Sequence, residues 1–344
     1  MELLRVNEHH QYNSDSTDLI PLYPKTDKFY YISQSSGIIP VKTADELVFQ
    51  SQGNIEGQIH TFNSKSKLSE NIKNKLNIES LSTSVGRIFI LCLEESRNQE
   101  YWVSCSGFCV SQDIVVSSAL KDSVGVTKKR VYIYFGVDAT VGEELDLDDI
   151  EDNPDVYELK TVKRNDQIEF FRFSDEDSPP NVKYLLPTIA EPSLDQQPIL
   201  IGFPTYTNMD DFRDDFSGDS AGLSTSDIDG IYRKLSRDTR GFQRRIVSIS
   251  KTPISSSDSK TIKHKCNTLY GMTGGALATG QTDYQFIGIH LEGLKSEQSN
   301  IALSVTSASF FQFYKTYVLS NNSFLKRHGS TLQSYIDHCQ KLNL

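Results

Sequence analysis

Hydrophobic and polar positions divide the chain into two regimes. Residues 1–80 are polar and weakly periodic, apart from Leu68, Ile72 and Leu76, whose spacing of four predicts one face of a short helix. Beyond residue 84, short runs of β-branched and aromatic residues recur between Gly, Pro, Asp and Ser. They read as strands: RIFILCL at 87–93, VSCSGFCV at 103–110, Ile114–Ser117, RVYIYF at 130–135 and IEFFRF at 168–173. Further on come ILIGF at 199–203, IVSIS at 246–250, FIGIHL at 286–291 and IALSV at 301–305. So many short strands with marginal helix between them predict an all-β sandwich or a pair of barrels.

Other stretches break this pattern. Residues 138–155 (DATVGEELDLDDIEDNPD) are strongly acidic, and residues 208–245 begin acidic and end basic, so both read as solvated loops. Near the C-terminus, Ser330 precedes Gln333 by three, a capping-box spacing. Leu332, Tyr335, Ile336, Cys339 and Leu342 then form an apolar stripe, predicting a helix packed on its own domain.

Composition narrows the setting. The length of 344 residues suits two modest domains, and an apolar content of 37 % supplies ample core. With 35 Lys+Arg against 45 Asp+Glu, the net charge of −10 weighs against nucleic-acid binding. No apolar run approaches the roughly 20 residues that span a bilayer, and MELLRVNEHHQYNSD carries no readable secretory signal. The five cysteines (Cys92, Cys105, Cys109, Cys266 and Cys339) are too sparse and uneven for a disulfide framework. No second ligand pair follows Cys105 and Cys109 at metal-site spacing, so no cofactor is expected. The expected setting is intracellular, cytoplasmic or nuclear.

Chemistry concentrates in Cys266–Gly293, where a Gly-X-Thr-Gly-Gly turn precedes a strand ending Gly-Ile-His. Glycines flanking a hydroxyl residue on a tight turn let two backbone N–H groups point into one space, as an oxyanion hole requires. The segment resembles the chymotrypsin-like (trypsin-fold) serine peptidases, whose Gly-X-Ser-Gly-Gly pattern maps onto Gly271, Met272, Thr273, Gly274 and Gly275. The Gly-Ile-His strand resembles the glutamyl-endopeptidase branch, in which that histidine lines the specificity pocket. The resemblance implies a pocket formed by Gly288, His290 and His264, and an oxyanion-hole pair at Gly271 and Thr273.

Four further motifs fall in the family's order. SGFCVSQDIVVSSALKD at 106–122 resembles the approach to the catalytic histidine, with Leu120 at the histidine position. NDQIEFF at 165–171 resembles the segment carrying the triad aspartate, which implies Asp166. PILIGFP at 198–204 resembles the strand opening the second barrel, and NIALSV at 300–305 the strand after the specificity pocket. The implied fold is a double antiparallel β-barrel of this peptidase type. It would comprise a polar N-terminal extension (1–80), a first barrel (81–190), a second barrel (191–312) and a C-terminal helical tail (313–344).

For activity the same resemblance is negative. Histidine shuttles the proton in a triad, and leucine at 120 can neither accept nor donate it. Secreted relatives pair a cysteine before that histidine with one just after it, whereas Lys121 and Asp122 follow Leu120 here. Thr273 keeps a hydroxyl but adds a β-methyl with restricted χ1, and without a base it is a weak nucleophile. GDSAG at 218–222 mimics the trypsin signature around Ser220, but LSTSDIDG after it is not the strand that should follow. The leading expectation is an inactive peptidase homologue, a pseudoprotease that binds a protein or peptide partner, with no nucleic-acid or membrane partner. One alternative is an endopeptidase using Thr273 or Ser220 with His264, His290 or Lys121 as base. Another is an architectural subunit whose cleft is filled by the chain's own N-terminal extension.

Overall fold

The computed structural model describes residues 84–96, 98–120, 125–135, 156–174, 183–189, 198–203, 209–210, 213, 225–238, 246–249, 254, 256–257, 260–266, 268, 271–279, 285–294 and 299–344, together with strand backbones at 18–21, 29–33, 48–50 and 56–62. The helix expected at Leu68–Leu76, the acidic stretch 138–155, Lys121 and Ser220 lie outside the described residues.

Four short strands come first: β1 (Asp18–Pro21), β2 (Phe29–Ser33), β3 (Val48–Gln50) and β4 (Glu56–Phe62). Six more follow: β5 (Val85–Glu94), β6 (Gln99–Cys109), β7 (Ile114–Ser118), β8 (Val126–Tyr134), β9 (Val156–Arg164) and β10 (Ile168–Phe173). These six close into an antiparallel barrel in the order β10-β7-β6-β5-β8-β9. Alternation explains the closure. Ile88, Ile90, Cys92, Val103, Cys105, Val131, Ile133, Phe171 and Phe173 share one buried cluster inside it, one residue in two along each strand.

The second unit is built from β12 (Pro198–Gly202), β13 (Ile246–Ile249), β15 (Thr261–His264), β16 (Ala276–Thr279), β18 (Gly288–Leu294) and β19 (Ser299–Ser304). Their order is β13-β12-β16-β18-β19-β15. Read around the sheet in chain-order ranks, both units run second, first, fourth, fifth, sixth, third. One difference separates them. In the first barrel the second and third strands pair, whereas in the second unit the outer edge of β13 carries β1. β2, β4 and β3 extend that sheet, and β14 (Ser256–Ser257) borders β15 at the other end. The polar N-terminal region, expected outside the barrels, thus adds four strands to the second sheet. The short pair β11 (Leu186–Pro187) and β17 (Gln285–Phe286) runs parallel between the units. The repeated strand order is that of the expected chymotrypsin-like double barrel, the first half closed and the second open.

Helices lock the two halves together. Helix α2 (Ala308–Tyr314) is capped by Ser307, whose side chain accepts from Phe310 N. The π-turn Lys315–Leu319 leads to helix α3 (Asn322–Lys341). Phe310 of α2 sits 5.7 Å from Phe170 of the first barrel and 5.7 Å from Phe286 beside the second. Phe286 in turn meets Phe108 edge-on at 4.7 Å. On α3, Leu332, Tyr335 and Cys339 are buried in the same core, and the Tyr335 hydroxyl donates to the Val305 carbonyl at 2.7 Å. The stripe therefore packs on its own domain. The expected cap does not hold, because α3 starts eight residues before Ser330. Asn321 caps it, its side chain accepting from Ser323 N and Phe324 N.

The insertion at 208–245 is also more than a solvated loop. It contains helix α1 (Thr225–Asp238), fastened by Arg213, whose guanidinium donates to both carboxylate oxygens of Asp229 at 2.6 and 2.7 Å. All five cysteines are free and buried. No helix among the described residues is long and apolar enough to cross a membrane.

One glycine tests the packing of α3. A Cβ on Gly329, in mid-helix, would meet nothing within 4 Å. Gly329→Ala is expected to raise stability by about 0.5–1 kcal/mol, since glycine costs roughly that much in a helix interior. The denaturant midpoint should rise with an unchanged slope.

Candidate functional site

The Gly271–Gly275 turn is held from both sides, by β18 of its own unit and by β6 of the first barrel. Gly271 and Gly274 adopt φ of 85° and 82°, the left-handed region glycine enters without strain. Within the turn, Gly275 N donates to Met272 O at 2.9 Å, and Gly274 N to His290 O at 2.8 Å. His290 N in turn donates to Gly275 O at 2.9 Å, and two further bonds come from Ser106 on β6, a fully buried residue. Ser106 N donates to Thr273 O at 2.8 Å, and its hydroxyl donates to Gly271 O at 2.7 Å. That hydroxyl also accepts from Phe203 N at 2.8 Å, while the Ser106 carbonyl accepts from the Ser117 hydroxyl at 2.6 Å. Among the described residues, the N–H groups of Gly271 and Thr273 donate no hydrogen bond.

The three triad-like positions gather at this seam. Leu120 follows β7, half-buried, with its side chain against the first-barrel core. Its carbonyl accepts from the Arg164 guanidinium. Ala119 N donates to Gln167 O at 2.9 Å, tying that end of β7 to the β9–β10 turn, where Asp166 sits exposed. Asn165 shapes the turn by accepting from Gln167 N and Ile168 N, both at 2.9 Å. Thr273 approaches from the other unit, its neighbour Gly274 packed against Ser106, Ser117 and Ser118. The Thr273 side chain is 5 % exposed, and its hydroxyl donates to the Leu291 carbonyl at 3.0 Å. A bulge between His290 and Glu292 takes Leu291 out of the β18–β19 ladder, which leaves that carbonyl available.

A second carboxylate escaped the motif reading. Glu169 is fully buried on β10, on the inward face it shares with Phe171 and Phe173. Lys128 and the Thr161 hydroxyl (2.5 Å) both donate to one of its oxygens, and Arg164 Nε lies 3.8 Å from the other. A buried carboxylate needs such compensation. Arg164 therefore joins Glu169 to the Leu120 carbonyl. The signal in the sequence was a charged residue inside the apolar run IEFFRF.

His264 and His290 are both fully buried and stacked edge-on, with ring centroids 5.3 Å apart. Cys266 N donates to His264 Nδ1 at 3.3 Å, which places the His264 proton on Nε2. That Nε2–H faces His290 Nδ1 at 3.3 Å, so the pair is linked as two neutral rings. Burial lowers the His264 pKa to about 3. Asn300 closes the same seam, its amide donating to Cys266 O at 2.6 Å. Gly288 lies on the strand before His290, where a Cβ would come 2.8 Å from the Leu303 carbonyl, so close sheet packing requires glycine there. Among the described residues, no group of three His, Cys, Asp or Glu side chains has metal-site geometry.

No protein-family model matches the chain, and no curated protein matches it by sequence. Among solved structures it is similar to the active form of the Rv3671c protease of M. tuberculosis, at 14 % identity and a TM-score of 0.41 over 71 % of this chain and 85 % of that one. It is also similar to a Glu endopeptidase in complex with MPD, at 10 % identity and a TM-score of 0.42 over 68 % and 90 % of the two chains. With scores this low, the fold reading rests on strand order and barrel closure rather than on the superpositions.

Gly274→Ala is expected to cost about 3 kcal/mol or more, because the new Cβ would lie 2.1 Å from a backbone oxygen at positive φ. Chemical denaturation measures the loss directly. His264 gives a pH signature. Its folded pKa lies below the unfolded value near 6.5, so its contribution is complete above about pH 6.5. As pH falls from there towards about 3, only the unfolded chain takes up the proton, and stability drops by up to about 1.4 kcal/mol per pH unit. His264→Asn should flatten the decline between about pH 6.5 and pH 5 by up to one proton.

Proposed function

We propose that this chain is a catalytically inactive member of the trypsin-like fold, working as a protein- or peptide-binding module. The observation that carries the reading is the state of the proton-transfer positions. Leu120 holds the histidine position with its side chain on the barrel core, and its surroundings are organised by Arg164 and Glu169. Acyl transfer needs a base within reach of the nucleophile, and leucine offers no lone pair. The Thr273 hydroxyl is committed to the Leu291 carbonyl.

Recognition in this reading uses the backbone. The N–H groups of Gly271 and Thr273 are suited to a carbonyl or carboxylate of a bound chain, since fixed donors cost no reorganisation. Gly288, His290 and His264, all buried, would back this site from behind without touching the ligand. Concave seams between two units favour such binding even without chemistry. The partner is a protein segment in extended form, held by main-chain hydrogen bonds.

A fluorophosphonate probe and casein hydrolysis test the reading together. The expected outcome is no covalent labelling and no cleavage by the purified chain. Labelling at Thr273 or Ser220, or casein turnover that tracks the protein through purification, would overturn it. The double variant Leu120→His with Thr273→Ser is expected to acquire the labelling that the wild type lacks, because the turn and its donors are already in place.

A further inference from the structure

A pocket opens at the end of β7 remote from Leu120, the two ends being separated by five strand residues, roughly 17 Å. It lies between the turn that leads into β7 and the helical C-terminal segment, and has a volume of about 90 Å³. Tyr184, Tyr317 and Phe324 supply aromatic lining, and Gln112, Asp113 and Arg327 supply polar lining. One wall is fixed in place. The Tyr184 hydroxyl shares a 2.6 Å hydrogen bond with His328 Nε2, and the Phe324 ring packs 5.8 Å from Tyr184 and 4.9 Å from His328.

The charges single this pocket out. It is lined by one acid and one base, yet the two are not paired. Asp113 is engaged within its own barrel, where the Ser111 hydroxyl donates to it at 2.8 Å and Arg172 Nε lies 3.4 Å away. Arg327 forms no hydrogen bond or ion pair with any described residue, and the same holds for the Tyr317 hydroxyl and the Gln112 amide. A concave, partly aromatic site thus keeps three uncommitted donors, one of them a cation. A dianion such as phosphate would face the Asp113 carboxylate against a single guanidinium. A carboxylate carries one charge and matches the planar fork of an arginine.

We propose that this pocket binds a peptide carboxylate, which Arg327 holds while the rings of Tyr184, Tyr317 and Phe324 cover its carbon stem. Aromatic lining with a few placed polar groups is the usual composition of such a site. It stands apart from the Gly271–Gly275 turn, so it does not depend on how that region is used.

Arginine labelled with nitrogen-15 makes the site visible by NMR in the full-length protein. The Arg327 Nε–H signal is assigned by its absence from Arg327→Gln, an exposed substitution that should leave the fold intact. At constant ionic strength that signal should shift saturably with acetylglutamate α-amide or with acetylphenylalanine. The first offers a side-chain carboxylate and the second a terminal one, so the tighter binder identifies the source. Acetylglutamine amide and acetylphenylalanine amide lack the charge and should bind at least about tenfold more weakly. The proposal is overturned by an unmoved signal with both carboxylates, or by an equal response to the amides. Shifts of the same size at every exposed arginine, or tighter binding of inorganic phosphate, would overturn it too.

Discussion

One buried serine sets the relation between the two halves of this molecule. Ser106 stands on β6 of the first barrel, and its N–H, carbonyl and hydroxyl all bond to other elements. Two of those bonds reach the Gly271–Thr273 turn of the second unit, and a third takes the end of β12. At a buried site each bond is expensive to lose, because the abandoned partner is left unsatisfied. The turn is therefore held from the opposite barrel as well as by β18 of its own unit. Behind this polar stitch, Phe108, Phe170, Phe286 and Phe310 fill the space between the barrels, so polar contacts fix the register and aromatic packing supplies most of the burial.

That division also shows in how the charged side chains near the seam are used. The turn geometry depends on Ser106, Gly274 and Ser117, and none of these needs a triad histidine. At the end of β7, where an imidazole would need an orienting carboxylate, a carboxylate is indeed nearby but employed otherwise. Glu169 faces the barrel interior and is neutralised by Lys128 and Arg164. Its contacts tie β8, β9 and β10 together, and the Arg164 guanidinium also donates to the Leu120 carbonyl.

Much of this was legible in the residues, and the failures have physical causes. Strands with runs of buried β-branched residues, such as β5, β7, β10 and β12, announced themselves. β9 did not, because in VYELKTVKR only Leu159 is buried and Lys160 and Lys163 are exposed. β15 and β16 are too short, and too rich in small or polar residues, to show a period. Helix α2 was hidden because FFQFY is a run of aromatics that looks like strand until its partners in both barrels are known. Charge disguised α1 within its insertion. At the site, the motifs pointed to the end of β7, the β9–β10 turn and the Gly271–Gly275 turn. Ser106 and Glu169 were invisible as participants, since Ser106 acts on residues 165 positions away and Glu169 reads simply as a charge in a strand.

The chain order of the aromatic wedge has a temporal side. The first barrel is complete by residue 173, and its strands are contiguous, so it can form while the rest is still being synthesised. Phe310 belongs to α2, which is made after every strand of both units. Until it emerges, Phe170 on one barrel and Phe286 beside the other have no common partner. Before α2 joins, the Ser106 bonds and the Phe108–Phe286 contact already link the two units, and Phe310 completes the wedge between them.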